Sequence, residues 1–292
     1  VTTGGGQAPD ADLALAESAV RDGRPDEALR HLASVPAGVP LPAALAWKLG
    51  AVLHRRGEFD DAEALFARAI LDAGEHPDEP DRPSATDKAQ VLAGWAAVRW
   101  ARGDRTRTRQ LADEAVRVAE QSRDDGALAA AYVAQALAAF SEGDRAGNEH
   151  AYARALAAAE RAGDLGQQLR IRCNVGSRLV EEGRYREATD QLTGAIRLGE
   201  LTRQPTLLAL ALHNRAEAWL GLGELAPART DADAALTLWQ RDGSPLAAFG
   251  LLLTARVHQV RGSTRRAVAA YTAALAMAEP AGNAQVLVEA SA

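Results

Sequence analysis

Few residues in this chain carry chemistry at a spacing that could use it. His213 and Glu217 stand four residues apart, one helical turn, so an imidazole and a carboxylate share a face from which they could grip a divalent metal. No third ligand stands near them, and a polar contact to a partner or a neighbouring helix is the other reading. Asn174 and Asn214 lie 40 residues apart. A side-chain amide both donates and accepts, so the pair suits the backbone of an extended peptide, and it suits hydrogen bonds between helices as well. Cys173 is the single cysteine, which rules out an intrachain disulfide. Nothing nearby lowers its pKa, so it reads as packing. Arg105, Arg107 and Arg109 cluster at the start of a helix, where positive charge meets the positive end of the helix dipole. They read as a solvated face with room for an anionic partner.

Catalytic spacing is missing. There is no GxxxxGK[ST] loop, no GxSxG elbow, no HExxH and no CxxC pair. The reading therefore assigns no catalytic residue, no metal site and no cofactor. A net charge of −6 argues against a general nucleic-acid surface. No apolar run reaches membrane-spanning length, and "VTTGGGQAPDAD" lacks the basic and apolar regions of a signal peptide. With its lone cysteine, the chain is placed in the cytoplasm.

The elements that must position these residues come from a repeat. Glycines fall at Gly23, Gly57, Gly103, Gly143, Gly183, Gly223 and Gly262, with steps of 34, 46, 40, 40, 40 and 39. Seven residues before them stand Ala16, Gly50, Ala96, Ala136, Gly176, Ala216 and Ala255. Twelve residues after them stand Val35, Ala69, Ala115, Ala155, Ala195, Ala235 and Ala274. At +5 five of the seven are Ala, with Thr108 and Asn148 the exceptions. Apolar residues before each glycine keep helical spacing, as in Leu207, Leu208, Ala211, Leu212, Ala216, Trp219 and Leu220. Each repeat thus predicts a helix A, ended by a left-handed glycine, and a helix B about two residues later. Small residues at −7, +5 and +12 let the helices approach closely. Asp125, Asp164, Ser244 and Asn283 are expected to cap or open the next helix A, and Pro205 and Pro245 suit first turns. The proline-rich segment 73–87 reads as an exposed loop.

The offsets in "WKLGAVLHRRGEFDDAEALFARAI" (47–70) and "VGSRLVEEGRYREATDQLTGAI" (175–196) resemble the tetratricopeptide repeat (TPR). The resemblance runs over residues 12–280 and is looser around Gly103 and Gly143. It implies an all-α fold, a right-handed superhelical α-solenoid of about seven TPR-like helical hairpins, taken as one domain over residues 11–281. Residues 1–10 read as a flexible lead-in and 282–292 as the start of a further helix cut short. The long repeats and "LAESAVRDGRPDEALRHLASV" (15–35) look like the sensor arrays of large ATP-binding LuxR-type (STAND) bacterial regulators. The implied function is a non-enzymatic sensor of a transcriptional regulator, recognising an inducer or a partner protein in its concave groove. The alternative is a stand-alone adaptor that binds a peptide or protein.

The resemblance also puts helices A on the concave face. It points to Trp47, Trp100 and Phe140 in repeats 2 to 4, an aromatic strip. In repeats 5 to 7 it points to a polar strip that includes Arg170, Asn174, Ser177, Glu181, His213, Asn214, Glu217 and Arg256. Trp95, Trp219 and Trp239 are expected between helices, whereas Trp47 and Trp100 are candidates for interface anchors as well as for core. The expected partner is a protein, a peptide or a small-molecule inducer, with no direct nucleic-acid contact and no membrane. The apolar "AQVLVEA" (284–290) would allow stacking into a homo-oligomer.

Overall fold

The computed structural model describes residues 8–36, 38–75, 84–281 and 284–291. All regular structure among them is α-helical. Two compact units are formed, Val1–Ala162 and Gly163–Ala292. The first holds four helical hairpins: α1 (Ala8–Arg21) with α2 (Pro25–Ser34), α3 (Ala43–Arg56) with α4 (Phe59–Glu75), α5 (Ala85–Ala101) with α6 (Arg105–Ser122), and α7 (Asp125–Glu142) with α8 (Arg145–Arg161). The second holds three more: α9 (Leu165–Glu181) with α10 (Tyr185–Thr202), α11 (Pro205–Gly221) with α12 (Leu225–Arg241), and α13 (Ala247–Val260) with α14 (Thr264–Ala281). A short α15 (Ala284–Ser291) packs on α14 and α13.

The glycine register is explained by backbone geometry. All seven turn glycines have φ between 71° and 78°, the left-handed region in which a β-carbon is costly. In each turn the next residue's N–H reaches back five residues to a helix A carbonyl, as Glu58 does to Leu53 at 3.0 Å and Arg184 to Leu179 at 2.9 Å. Orphan carbonyls at the helix end are satisfied in this way, and the chain is aimed directly into helix B.

The small residues at fixed offsets are the contacts that set helix spacing. A β-carbon on Gly50 would lie 2.3 Å from the Phe66 ring, and one on Gly176 would lie 2.5 Å from Leu192. The alanines at +5 and +12 are buried against these seams. The two exceptions at +5 are buried too and hydrogen-bonded: Thr108 Oγ1 donates to the Asp104 carbonyl at 2.7 Å, and Asn148 Nδ2 donates to the Ala136 carbonyl at 2.8 Å.

A second left-handed turn, absent from the sequence reading, follows α6, α8, α10 and α12 and leads into the next helix A. It uses Arg123, Gly163, Arg203 and Gly243, spaced by 40 residues, with φ between 53° and 66°. A cap follows the first two of them. Asp124 accepts from the Ala127 N–H at 2.7 Å and Asp164 from the Gln167 N–H at 2.8 Å, while Ser244 Oγ accepts from the Leu246 N–H at 3.3 Å. Asp125 opens α7 as its first helical residue, as expected, and accepts from Arg161, whereas Ser244 neither caps nor opens α13, whose cap is Leu246. Pro205 opens α11 as expected, but Pro245 lies in the turn before α13, because Leu246 is that helix's cap. Asn283 and most of the 73–87 loop lie outside the described residues, as does most of the lead-in, although α1 begins at Ala8. No helix among the described residues is long and apolar enough to cross a membrane.

Candidate functional site

In the second unit the A helices α9, α11 and α13 pack in succession, so residues at equal offsets from the turn glycines align across repeats. Their mutual position is locked from behind. Arg215 on α11 makes a two-pronged ion pair with the buried Asp231 on α12, at 2.7 and 2.9 Å, and reaches Thr193 on α10 at 3.1 Å. Trp239 is fully buried among the same helices.

On this frame Asn214 is 6% exposed and Asn174 is half-buried. Among the described residues neither side-chain amide has a hydrogen-bond partner. Ser177, one turn beyond Asn174, is half-buried and likewise unpartnered. No polar atom of either amide is buried without a partner, so both reach solvent and stay available to a ligand. The helix-to-helix hydrogen bonds allowed by the sequence are not made by this pair.

Beside Asn214, the His213 ring sits tilted on Trp239 with centroids 5.1 Å apart, and its Nδ1 is buried without a partner. Burial, helped by the charge of Arg256, pushes the imidazole down to about 4, so it is neutral near pH 7. Glu217 pairs with Arg256 across the α11–α13 seam at 3.2 Å. Burial holds its carboxyl above the ordinary carboxylate range, with Glu289 and Glu181 adding to the shift and Arg256 opposing it. Tyr271, which the sequence did not single out, donates to Gln259 Oε1 at 2.7 Å. These helices frame an open recess of about 310 Å³ lined by Val180, Tyr185, Glu217, Leu220, Arg256 and Gln259.

Other expected residues are scattered. Arg170 is exposed near the start of α9. Cys173 is 1% exposed, with its thiol pushed up to about 12 by burial, which makes it an inert packing group. His213 and Glu217 do share a face, but no group of three or more His, Cys, Asp or Glu able to hold a metal exists among the described residues.

In the first unit Trp47 and Trp95 are partly buried against the core. Trp100 and Phe140 are exposed by 36% and 47%, and their rings meet edge to face at 6.5 Å. They line a second recess, of about 250 Å³, with Arg105, Thr108 and Ser141. The expected basic cluster is only partly free. Arg107 lies over the Trp95 ring at 5.4 Å and Arg109 pairs with Glu142, leaving Arg105 exposed without a partner among the described residues.

No protein-family model and no curated protein matches this chain. Solved structures do share its fold. A Rap protein complexed with Competence and Sporulation Factor superposes with a TM-score of 0.69 at 11% identity, over 98% of this chain and 80% of that one. NprR in complex with its cognate peptide NprX gives 0.59 at 13% identity, over 95% and 82%. A signal transduction ATPase with numerous domains (STAND), carrying a tetratricopeptide repeat sensor, from Pyrococcus horikoshii gives 0.62 at 13% identity. The match covers 97% of this chain and 45% of the longer protein. At such identities the likeness speaks to the fold alone: this chain is an α-solenoid of TPR-like helical hairpins.

Proposed function

We propose that the chain is a binding module rather than an enzyme, and that the A-helix face of its second unit recognises an extended peptide or a protein segment. The observation that carries this is the pair of unpartnered amides, Asn174 and Asn214, at the same offset in α9 and α11. Each can donate to and accept from a peptide backbone. The neutral His213, Ser177 and the Glu217–Arg256 pair supply further polar contacts on that face. Similar folds in complexes with Competence and Sporulation Factor and with the peptide NprX support the reading.

Within that reading the module is a cytoplasmic sensor of a bacterial LuxR-type regulator, biasing an attached ATPase when its groove is filled. Support comes from the fold likeness to the STAND sensor. Panning a random dodecapeptide library on the full chain tests the groove. Peptides selected there should bind the Asn174→Ala/Asn214→Ala double variant at least tenfold more weakly, since two hydrogen bonds are worth roughly 1 kcal/mol each. Unchanged affinity for every selected peptide would refute the groove. A genomic reading frame without a nucleotide-binding module would refute the regulator and leave the adaptor.

A further inference from the structure

The repeats differ in what fills the space between the ends of consecutive A helices. In repeat 5 the filler is Tyr185, two residues after the turn glycine. Its ring packs so closely on the next repeat that a β-carbon on Gly221 would lie 2.5 Å from it. Val180 and Leu220, each three residues before a turn glycine, flank that ring site. Repeat 2 has Phe59 at the same offset, half-buried and tilted against His54 at 5.7 Å.

Repeat 3, like repeats 1, 4, 6 and 7, has no aromatic there. Its residue at that offset is Arg105, which is exposed. The flanking positions are Trp100 and Phe140, and the space beside them is the open recess of about 250 Å³ in the first unit. Two aromatic rings therefore stand exposed where repeat 5 supplies a plug from its own chain. The charge around the recess is also unbalanced. Glu142 is taken by Arg109, Asp104 caps α6 while facing Arg99, and Asp144 caps α8. Arg105 stands at the rim with no partner for its guanidinium among the described residues.

We infer that this recess is a second binding site, for an aromatic side chain next to a carboxylate in a partner polypeptide. The aromatic ring takes the place that Tyr185 fills in repeat 5 and packs on Trp100 and Phe140. The carboxylate pairs with Arg105, whose planar fork accommodates both oxygens. The inference stands on the first unit alone and does not depend on the Asn174 and Asn214 surface.

The same dodecapeptide library, panned on the full chain, tests it. Selected peptides should include a class with Phe, Tyr or Trp within two residues of Asp or Glu. That class should bind Phe140→Ala and Arg105→Glu at least tenfold more weakly, yet keep its affinity for Asn174→Ala/Asn214→Ala. Arg105→Tyr should plug the recess from within, abolish binding of that class and raise the melting temperature. Arg105 is exposed with no partner among the described residues and Phe140 is 47% exposed, so these variants keep the fold, which circular dichroism checks. Absence of an acidic-aromatic class overturns the inference. So does full affinity of such peptides for Arg105→Glu or Arg105→Tyr.

Discussion

His213 makes a quantitative prediction about pH. Its imidazole titrates near 4 in the folded chain, against 6.5 when unburied, because the charged form is denied solvent and faces Arg256. Between those two values the unfolded chain binds a proton that the folded chain does not. The folded state is therefore penalised as pH falls, and stability rises with pH across the same window. Lowering the pH from about 7 to about 4.5 should cost roughly 2–3 kcal/mol through this residue alone. Glu217 opposes it, since a carboxyl whose pKa is raised by burial gains relative stability on protonation. Other carboxylates titrate in the same range, so the wild-type profile by itself does not isolate the histidine. Replacing His213 by Phe keeps a ring against Trp239 and removes the titration. Urea denaturation of both proteins at the two pH values gives the double difference. Wild type should lose roughly 2–3 kcal/mol more than His213→Phe on acidification. Equal losses would show that the ring is solvated in the folded chain, and the account of a neutral imidazole beside Asn214 would fail with it.

Two further substitutions test the architecture by thermal or urea unfolding. Gly176→Ala would gain up to about 1 kcal/mol in an open helix, but here its β-carbon meets the buried Leu192 at 2.5 Å, so a net loss of about 1–2 kcal/mol is expected; a stabilised variant would refute the close-approach reading. Arg203, at φ 53° with its side chain exposed, should give about 0.5–1 kcal/mol of stability when changed to Gly, and a loss would mean that the left-handed turn carries no strain.

The hairpin register was legible because it rests on rules that act within one turn or one helix contact. Only glycine takes the left-handed position cheaply, and only a small residue tolerates a helix backbone close by, so both leave marks in the sequence at fixed offsets. The second turn escaped because Arg123 and Arg203 occupy two of its four positions, where neighbouring repeats use Gly163 and Gly243. Its trace was the spacing of those glycines and the cap residues after them. Pro245 misled for a related reason: proline fits both a first helical turn and the turn before one, and local propensity does not choose between them.

The candidate surfaces were legible only as a set of unusual residue types. The sequence by itself determined that Asn174 and Asn214 share an offset, that aromatic residues recur near helix ends and that arginines cluster at Arg105. Tertiary structure decided which of them are spoken for. Arg109 reaches Glu142 and Arg256 reaches Glu217, 33 and 39 residues away along the chain, whereas Arg105 and the two amides have no partner among the described residues. Periodicity fixes which side of a helix a residue occupies, but whether its polar atoms are satisfied depends on side chains brought from the next repeat. That is settled only when the helices pack.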